Sequence, residues 1–195
     1  QTGKGVSDFH TGDRVVSNGN HAEYVVVNQN LCTRIPDNTD IKEASFTVLG
    51  SIALHGLRLS ETSLGSKVVV IGLGIIGQLV CRLAEAQGSE VIGIDPDTKR
   101  TDLSANFYTS VEEANMTNVD SVIITAATSS NEPIEVATKI ARNKAKIVVV
   151  GDIPLNISRN DFYYKELELV VSKSYGPGRY DKQYEILGKD YPIEY

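Results

Sequence analysis

The sequence predicts an α/β fold, a doubly wound parallel sheet of about six strands with helices on both faces. Three observations predict it. Short runs built almost wholly of Val and Ile recur along the chain, as expected for strands buried on both faces. Segments of helical spacing alternate with those runs, the pattern of parallel strands joined by crossover helices. At one strand-to-helix junction stands Gly72-Leu73-Gly74-Ile75-Ile76-Gly77, a G-x-G-x-x-G turn.

In chain order, the elements begin with short β-type runs. The first residues, Gln1 in place of an initiator Met and then Thr2 to Val6, read as a turn between elements. Residues 13–16 form a turn leading into a strand, residues 21–27 are a β-rich run, and Ile35-Pro36-Asp37 is an extended exit. Two or three such strands make no independent core, so they are expected to belong to a larger β-domain. Residues 40–59 carry a broad helical apolar face of Ile41, Ala44, Ser45, Val48, Leu49, Ile52, Ala53 and Leu57, and residues 62–66 loop into the next strand.

Residues 67–71 are a buried-strand run, and residues 75–87 have helical spacing, with Ile75, Ile76, Leu79, Val80, Leu83 and Ala84 on one face and Gly88 as the stop. A second strand, 90–95, ends in Asp95; residues 106–109 are a weak third strand and residues 121–126 a fourth. Pro133 opens a helix over 133–142, followed by strands at 146–151 and 167–171. The tail changes character: five of the nine tyrosines, Tyr175, Tyr180, Tyr184, Tyr191 and Tyr195, fall in the final 21 residues, around the break Gly176-Pro177-Gly178. Only 184–187 offers a helical turn there, so the tail is expected to lie against another surface. The domain reading is 1–36, 37–65, 66–173 and 174–195.

The glycine turn carries chemistry. A tight turn from strand to helix aims backbone N–H groups and the positive end of the helix dipole at one spot, which suits a pyrophosphate. The first glycine allows the turn, the second lets the phosphates approach the backbone, and the third lets helix and strand pack closely. Asp95 follows Gly77 by 18 positions, close to the spacing of a carboxylate that accepts from the adenosine ribose. It would repel a 2′-phosphate, so NAD(H) is favoured over NADP(H), with Lys99 and Arg100 as nearby cations that could receive that phosphate.

Composition excludes other classes. With 41% apolar and 23% charged residues the chain is an ordinary globular sequence, and a net charge of −6 without a basic tract argues against nucleic acid. The uncharged stretch 68–81 contains three glycines and is too short to span a membrane. No signal peptide is visible, so a cytoplasmic location is the expectation. Cys32 and Cys81 support neither a disulfide framework nor a four-cysteine zinc lobe. His10 and His21 lack a second ligand at metal spacing; His55 is the candidate for a polar group near substrate, against the plainer reading of a partly exposed helix histidine. No Ser/His/Asp arrangement or carboxylate pair suggests nucleophilic or glycosidic chemistry.

Taken together, Gly12-Asp13-Arg14-Val15, Ala22-Glu23-Tyr24-Val25-Val26, the 44–57 helix, the glycine turn and Asp95 resemble the medium-chain, zinc-type alcohol dehydrogenase superfamily. The resemblance implies a Rossmann domain preceded by a remnant of a GroES-like β-domain. It implies that Ala126, Ala127, Thr128, Val150 and Gly151 line the nicotinamide half of the cofactor site, with Ser174 and Tyr175 approaching it. The position aligned with the last catalytic-zinc ligand falls at about Val48, which binds no metal, so no zinc is expected in this segment.

The run from Ser174 to Tyr180, with Asp190-Tyr191-Pro192, resembles a bacterial branch of two-part oxidoreductases in which a second Rossmann module follows. The implied function is NAD(H)-dependent hydride transfer on an alcohol or sugar-derived small-molecule substrate, inactive in this segment alone, with no catalytic residue assigned. A homo-oligomer and flanking domains of the same protein are the implied partners. The alternative is a non-catalytic module that holds a nucleotide or sugar nucleotide.

Overall fold

The computed structural model describes residues 1–104 and 106–190. The chain divides into two compact units, residues 52–174 and residues 1–51 with the described part of 175–195. In the smaller unit, β1 (Val15–Ser17) pairs antiparallel with β2 (Cys32–Arg34), Val15 facing Arg34 and Ser17 facing Cys32. Arg34 fastens the hairpin, donating to Asp13 Oδ2 at 3.1 Å and to the Asp8 carbonyl at 2.5 Å. The β-rich run 21–27 forms no strand: Tyr24 and Val26 are 86% and 104% exposed, and no described strand lies alongside to complete a ladder. Strand propensity without a partner's hydrogen bonds leaves irregular chain, bent over 21–24.

The expected helix over 40–59 is two helices, α1 (Ile41–Ala44) and α2 (Thr47–Leu59). Hydroxyls explain the break. Ser45 Oγ donates to the Lys42 carbonyl at 2.6 Å and Thr47 Oγ1 to the Ala44 carbonyl at 2.7 Å, where side chains compete with the helix ladder.

The Val/Ile runs of the larger unit become one parallel sheet: β3 (Lys67–Ile71), β4 (Glu90–Ile94), β5 (Phe107–Tyr108), β6 (Val119–Ile124), β7 (Ala141–Val149) and β8 (Glu168–Val171). The spatial order is β5-β4-β3-β6-β7-β8, every pair parallel. Register sets Val69 beside Ile92 and Val122, and Val122 beside Ile147. Alternation along the strands then sorts two cores. Val69, Ile71, Ile92, Val122 and Ile147 pack with Ile134, Ala137 and Ile140 of α6 (Glu132–Ile140). Val68, Val70, Val91, Ile123 and Val148 pack with Ala53 and Leu57 of α2 and with Val80, Cys81 and Ala84 of α3 (Ile75–Ala86). Each fully buried Val or Ile stabilises by about 1.5–3 kcal/mol, so the sheet requires helices on both faces.

Helix α3 ends where Gly88 was expected to stop it. Gly88, at φ 89°, donates to the Glu85 carbonyl at 2.9 Å and Ser89 to Ala84 at 3.0 Å, the paired bonds of a Schellman cap. Helix α6 stops at Ile140, short of the expected 142, and β7 begins at once at Ala141 rather than at 146. Lys165 provides a reason, its ammonium donating to the carbonyls of Thr138, Lys139 and Ala141 at 2.7, 3.0 and 2.9 Å. Arg142 leaves the helix and meets Asp120 Oδ1 at 2.6 Å.

Three further helices were not foreseen: α4 (Thr98–Thr101), α5 (Val111–Ala114) and α7 (Arg159–Lys165). The first two are single turns capped by Asp97 and Ser110. The third has no apolar stripe of its own and is anchored by Phe162 against the core and by the Lys165 ammonium.

In the tail, α8 (Lys182–Glu185) lies against the smaller unit's turn at 28–31, where Asn30 Nδ2 donates to the Ile186 carbonyl at 3.0 Å. Tyr175 Oη, Arg179 Nη1 and the Tyr180 N–H all donate to Glu185 Oε1, at 2.6, 3.0 and 3.1 Å. Tyr191, Pro192 and Tyr195 lie outside the described residues.

Candidate functional site

Strand order reverses between β3 and β6, so the carboxyl ends of these strands flank a crevice at a topological switch point, where open α/β sheets take their ligands. The glycine turn occupies that point. Gly72 has φ 97°, and a Cβ on it would lie 2.6 Å from the Ala126 nitrogen, so only glycine fits between the ends of β3 and β6. Gly77 is equally confined, because a Cβ there would overlap the Gly72 carbonyl oxygen and lie 2.7 Å from Thr125 Oγ1.

Gly74 differs from both. It is the N-cap of α3, no side chain caps the helix there, and a Cβ on it would meet nothing within 4 Å. The leading N–H groups of a helix have no partner within the helix, and here Ile75 and Ile76 are its first two residues. The result is an uncapped, positively polarised helix end facing open space.

Asp95 follows β4 and comes directly to the turn, its Oδ2 accepting from the Leu73 N–H at 2.7 Å. The same oxygen accepts from Arg100 Nη1 at 3.0 Å, and Oδ1 accepts from the Asp97 N–H at 2.9 Å. The carboxylate is only 5% exposed. Burial pushes its pKa up, but the two backbone N–H groups and the Arg100 guanidinium outweigh burial and hold it below the ordinary value, so it is ionised. Three of roughly four acceptor positions are therefore occupied.

The ends of β6 and β7 close the floor. The Ala126 N–H donates to the Ile71 carbonyl at 3.1 Å, and those of Val150 and Gly151 to Ile124 at 2.8 and 3.0 Å. A Cβ on Gly151 would overlap the Ala126 carbonyl oxygen, and Val150 packs on Gly56 of α2. Ala127 and Thr128 are exposed just beyond, where the Thr128 N–H donates to the Asp152 carbonyl at 3.0 Å. Gly72, Gly74, Ile75, Ile76, Gly77, Asp95, Ala126, Val150 and Gly151 thus gather along one edge of the sheet.

Other predicted positions contribute differently. His55 is half-buried on α2, where burial first and the Arg58 charge second lower its pKa, so it is neutral near pH 7. Val48 lies in the first turn of α2 and has no donor atom. Ser174 closes the larger unit, whereas the Tyr175 hydroxyl is engaged within the tail by Glu185. Among the described residues no three His, Cys, Asp or Glu side chains come together as a metal site, and no helix is long and apolar enough to cross a membrane.

Sequence reasoning missed Thr125 and the pairing of Arg100. Thr125 Oγ1 donates to the Gly72 carbonyl at 2.5 Å, tying the glycine turn to β6. A lone hydroxyl directly after the apolar run 122–124 was the available signal. Arg100 bridges Asp95 and Asp97, with Nε 3.5 Å from Asp97 Oδ2, and the i,i+3 spacing of Asp97 and Arg100 announces that contact.

Residues 47–162, more than half of the chain, match the family model described as the NAD-binding domain of D-isomer-specific 2-hydroxyacid dehydrogenases. The 2-dehydro-3-deoxy-L-galactonate 5-dehydrogenase of Pseudoalteromonas atlantica is 28% identical over 174 residues, 79% of this chain and 49% of that protein. The D-guloside 3-dehydrogenase of Escherichia coli is 35% identical over 108 residues, 53% of this chain and 31% of that protein. Among solved structures, a protein described as a zinc-binding dehydrogenase from Sinorhizobium meliloti, with NADP bound, superposes with a TM-score of 0.66 at 25% identity, covering 74% of this chain and 48% of that one.

Such relatives are zinc-type medium-chain alcohol and polyol dehydrogenases. The family model and these relatives agree on a dinucleotide-binding domain and differ on the enzyme class around it. The alignment with the Pseudoalteromonas enzyme is longer than the segment 47–162, so the likeness to that class extends beyond the shared domain. The chain spans about half the length of that relative.

Proposed function

Because the chain belongs to the NAD-binding-domain family of the dehydrogenases over residues 47–162, with medium-chain alcohol dehydrogenases as its relatives, we propose that it is the dinucleotide-binding part of an oxidoreductase acting on an alcohol or sugar-derived hydroxyl. The observation that carries this reading is the uncapped N-terminus of α3 at Gly74, open to solvent at the switch point and flanked by Asp95. The N–H groups of Ile75, Ile76 and Gly77 receive the pyrophosphate, while Gly72 and Gly77 keep the turn tight enough to aim them. Asp95, with one acceptor position remaining on Oδ1, takes a ribose hydroxyl, and the acidic edge to which it belongs favours NAD(H). Ala126, Val150 and Gly151 form the backbone floor beneath the nicotinamide half. When bound, the nicotinamide supplies hydride transfer; the chain's own residues bind and orient it.

The substrate class is supported by the names of the relatives, a sugar-acid and a sugar-glycoside dehydrogenase. A catalytic zinc does not fit the residues present: the resemblance puts the last ligand position at about Val48, which has no donor atom, and no donor cluster stands among the described residues. We therefore assign this segment a zinc-independent role and expect it to bind cofactor without turnover on its own. Titration of the chain with NADH, followed by nicotinamide fluorescence, tests the reading. Saturable enhancement supports it; no binding at millimolar NADH, with the fold intact by circular dichroism, overturns it.

A further inference from the structure

The S. meliloti neighbour holds NADP, so this fold accepts the 2′-phosphate in at least one protein, and discrimination must come from side chains beside the adenosine. Asp95 alone is a weak discriminator here. It is buried, it receives three donors, and one of those is the Arg100 guanidinium, the cation best suited to a phosphate. A buried carboxylate paired with an arginine presents little net charge to a ligand. The second carboxylate alters that balance. Asp97 lies two positions on, 46% exposed, with Oδ2 3.5 Å from Arg100 Nε, while its Oδ1 accepts from the Lys99 N–H at 3.1 Å and caps α4.

Resting on the dinucleotide reading above, we propose that Asp97 is the specificity-determining residue for the nucleotide: it pins Arg100 from the solvent side and leaves the pocket edge negative, so that a ribose hydroxyl is accepted and a 2′-phosphate refused. Two carboxylates share one guanidinium. With Asp97 neutral, Arg100 keeps its bond to Asp95 through Nη1, and its remaining N–H groups form a fork of the kind that binds phosphate. The substitution Asp97→Asn isolates this effect. Asn caps a helix as well as Asp does, and the backbone N–H that supports Asp95 Oδ1 is untouched.

The test uses the whole chain and two probes that omit the nicotinamide, adenosine 5′-monophosphate and adenosine 2′,5′-bisphosphate. Removing one charge facing a dianion near the protein surface is expected to shift the affinity ratio towards the bisphosphate by about tenfold. The shift should shrink in high salt, which a purely structural effect would not do. Asp97→Ser should reproduce it, and adding Arg100→Gln should abolish it. An unchanged ratio in both Asp97 variants, while the wild-type chain binds NADH, overturns this inference and leaves the dinucleotide reading standing. Failure of the folded wild-type chain to bind either NADH or the monophosphate overturns both.

Discussion

Replacing Gly77 by Ala is expected to weaken the fold, whereas replacing Gly74 by Ala is expected to weaken only nucleotide binding. At position 77 the new methyl overlaps the Gly72 carbonyl oxygen and lies 2.7 Å from Thr125 Oγ1 and 3.0 Å from the Gly72 carbonyl carbon. Unstrained contacts between heavy atoms lie near 3.5–4.0 Å, and neither neighbour can retreat. The carbonyl belongs to a backbone turn at φ 97°, and the hydroxyl is bonded to that carbonyl at 2.5 Å. Helix α3 must therefore lift away from the end of β3.

Overpacking of this kind costs about 1–3 kcal/mol. Ala's better helix propensity and the stiffer unfolded chain offset about 1 kcal/mol of that. The net loss, up to about 2 kcal/mol, corresponds to a fall in Tm of up to about 4–8 °C for a chain of this size. At position 74 the methyl enters open space at φ −64°, which Ala adopts without strain. There the lost cap preference and the stiffer unfolded chain nearly cancel, leaving stability within about 1 kcal/mol of wild type. The same methyl occupies the approach to the helix end, so NADH affinity should fall about tenfold or more, a loss of about 1.4 kcal/mol. Circular dichroism melts and fluorescence titration read the two effects separately. Equal melting losses in the two variants, or wild-type NADH affinity in Gly74→Ala, would refute the division of labour between the glycines.

Thr125→Val keeps the side chain's shape but removes the donor to the Gly72 carbonyl, so urea unfolding should show a loss of about 1–2 kcal/mol, and NADH affinity should fall with the loosened turn. Asp95 has a folded pKa below its ordinary value, so around pH 4 the unfolded chain binds more protons and stability rises with pH there. Its contribution is complete above that region and is lost as pH falls through the folded pKa. Urea midpoints should accordingly drop more between neutral and acid pH in the wild-type chain than in Asp95→Asn. Burial pushes the Cys81 thiol up to about 12, aided by the Glu85 charge, so a disulfide reagent at mild alkaline pH should leave it unmodified until denaturant is added, while the half-buried Cys32 reacts first.

The sheet was legible because its signals are local. Runs such as 67–71 and 121–124 read as strands wherever they sit, and the glycines that bend the chain between β3 and α3 announce themselves by type. What escaped reading depends on partners far away in sequence. Residues 21–27 have strand composition but, among the described residues, no strand beside them. Helix α7 has no periodic apolar face and depends on Lys165, whose three carbonyl partners lie 24 to 27 positions earlier. At the site, Asp95 was placed correctly at the end of β4, but its burial was invisible: nothing in a carboxylate's position along the chain says that Leu73, Asp97 and Arg100 will fill most of its lone pairs.

The contacts that do most to shape the crevice involve no side chain that could recognise a substrate. Ala126 fits against the Cβ positions missing from Gly72 and Gly151, so the ends of β3, β6 and β7 meet through backbone, with the Thr125 hydroxyl turned onto the Gly72 carbonyl. Such a floor can carry any dinucleotide-linked chemistry, which is why one segment answers both to a 2-hydroxyacid dehydrogenase domain and to sugar dehydrogenases. Glycine spacing constrains how close phosphates come; it places no constraint on the molecule oxidised opposite the nicotinamide. Discrimination must then be carried by the few side chains that reach past the backbone. On the proposed dinucleotide reading, those beside the adenosine are Asp95, Asp97 and Arg100, whose charges are near enough to bias one another. Variation among such residues can therefore change the nucleotide preference while leaving the glycine turn, and the fold it supports, intact.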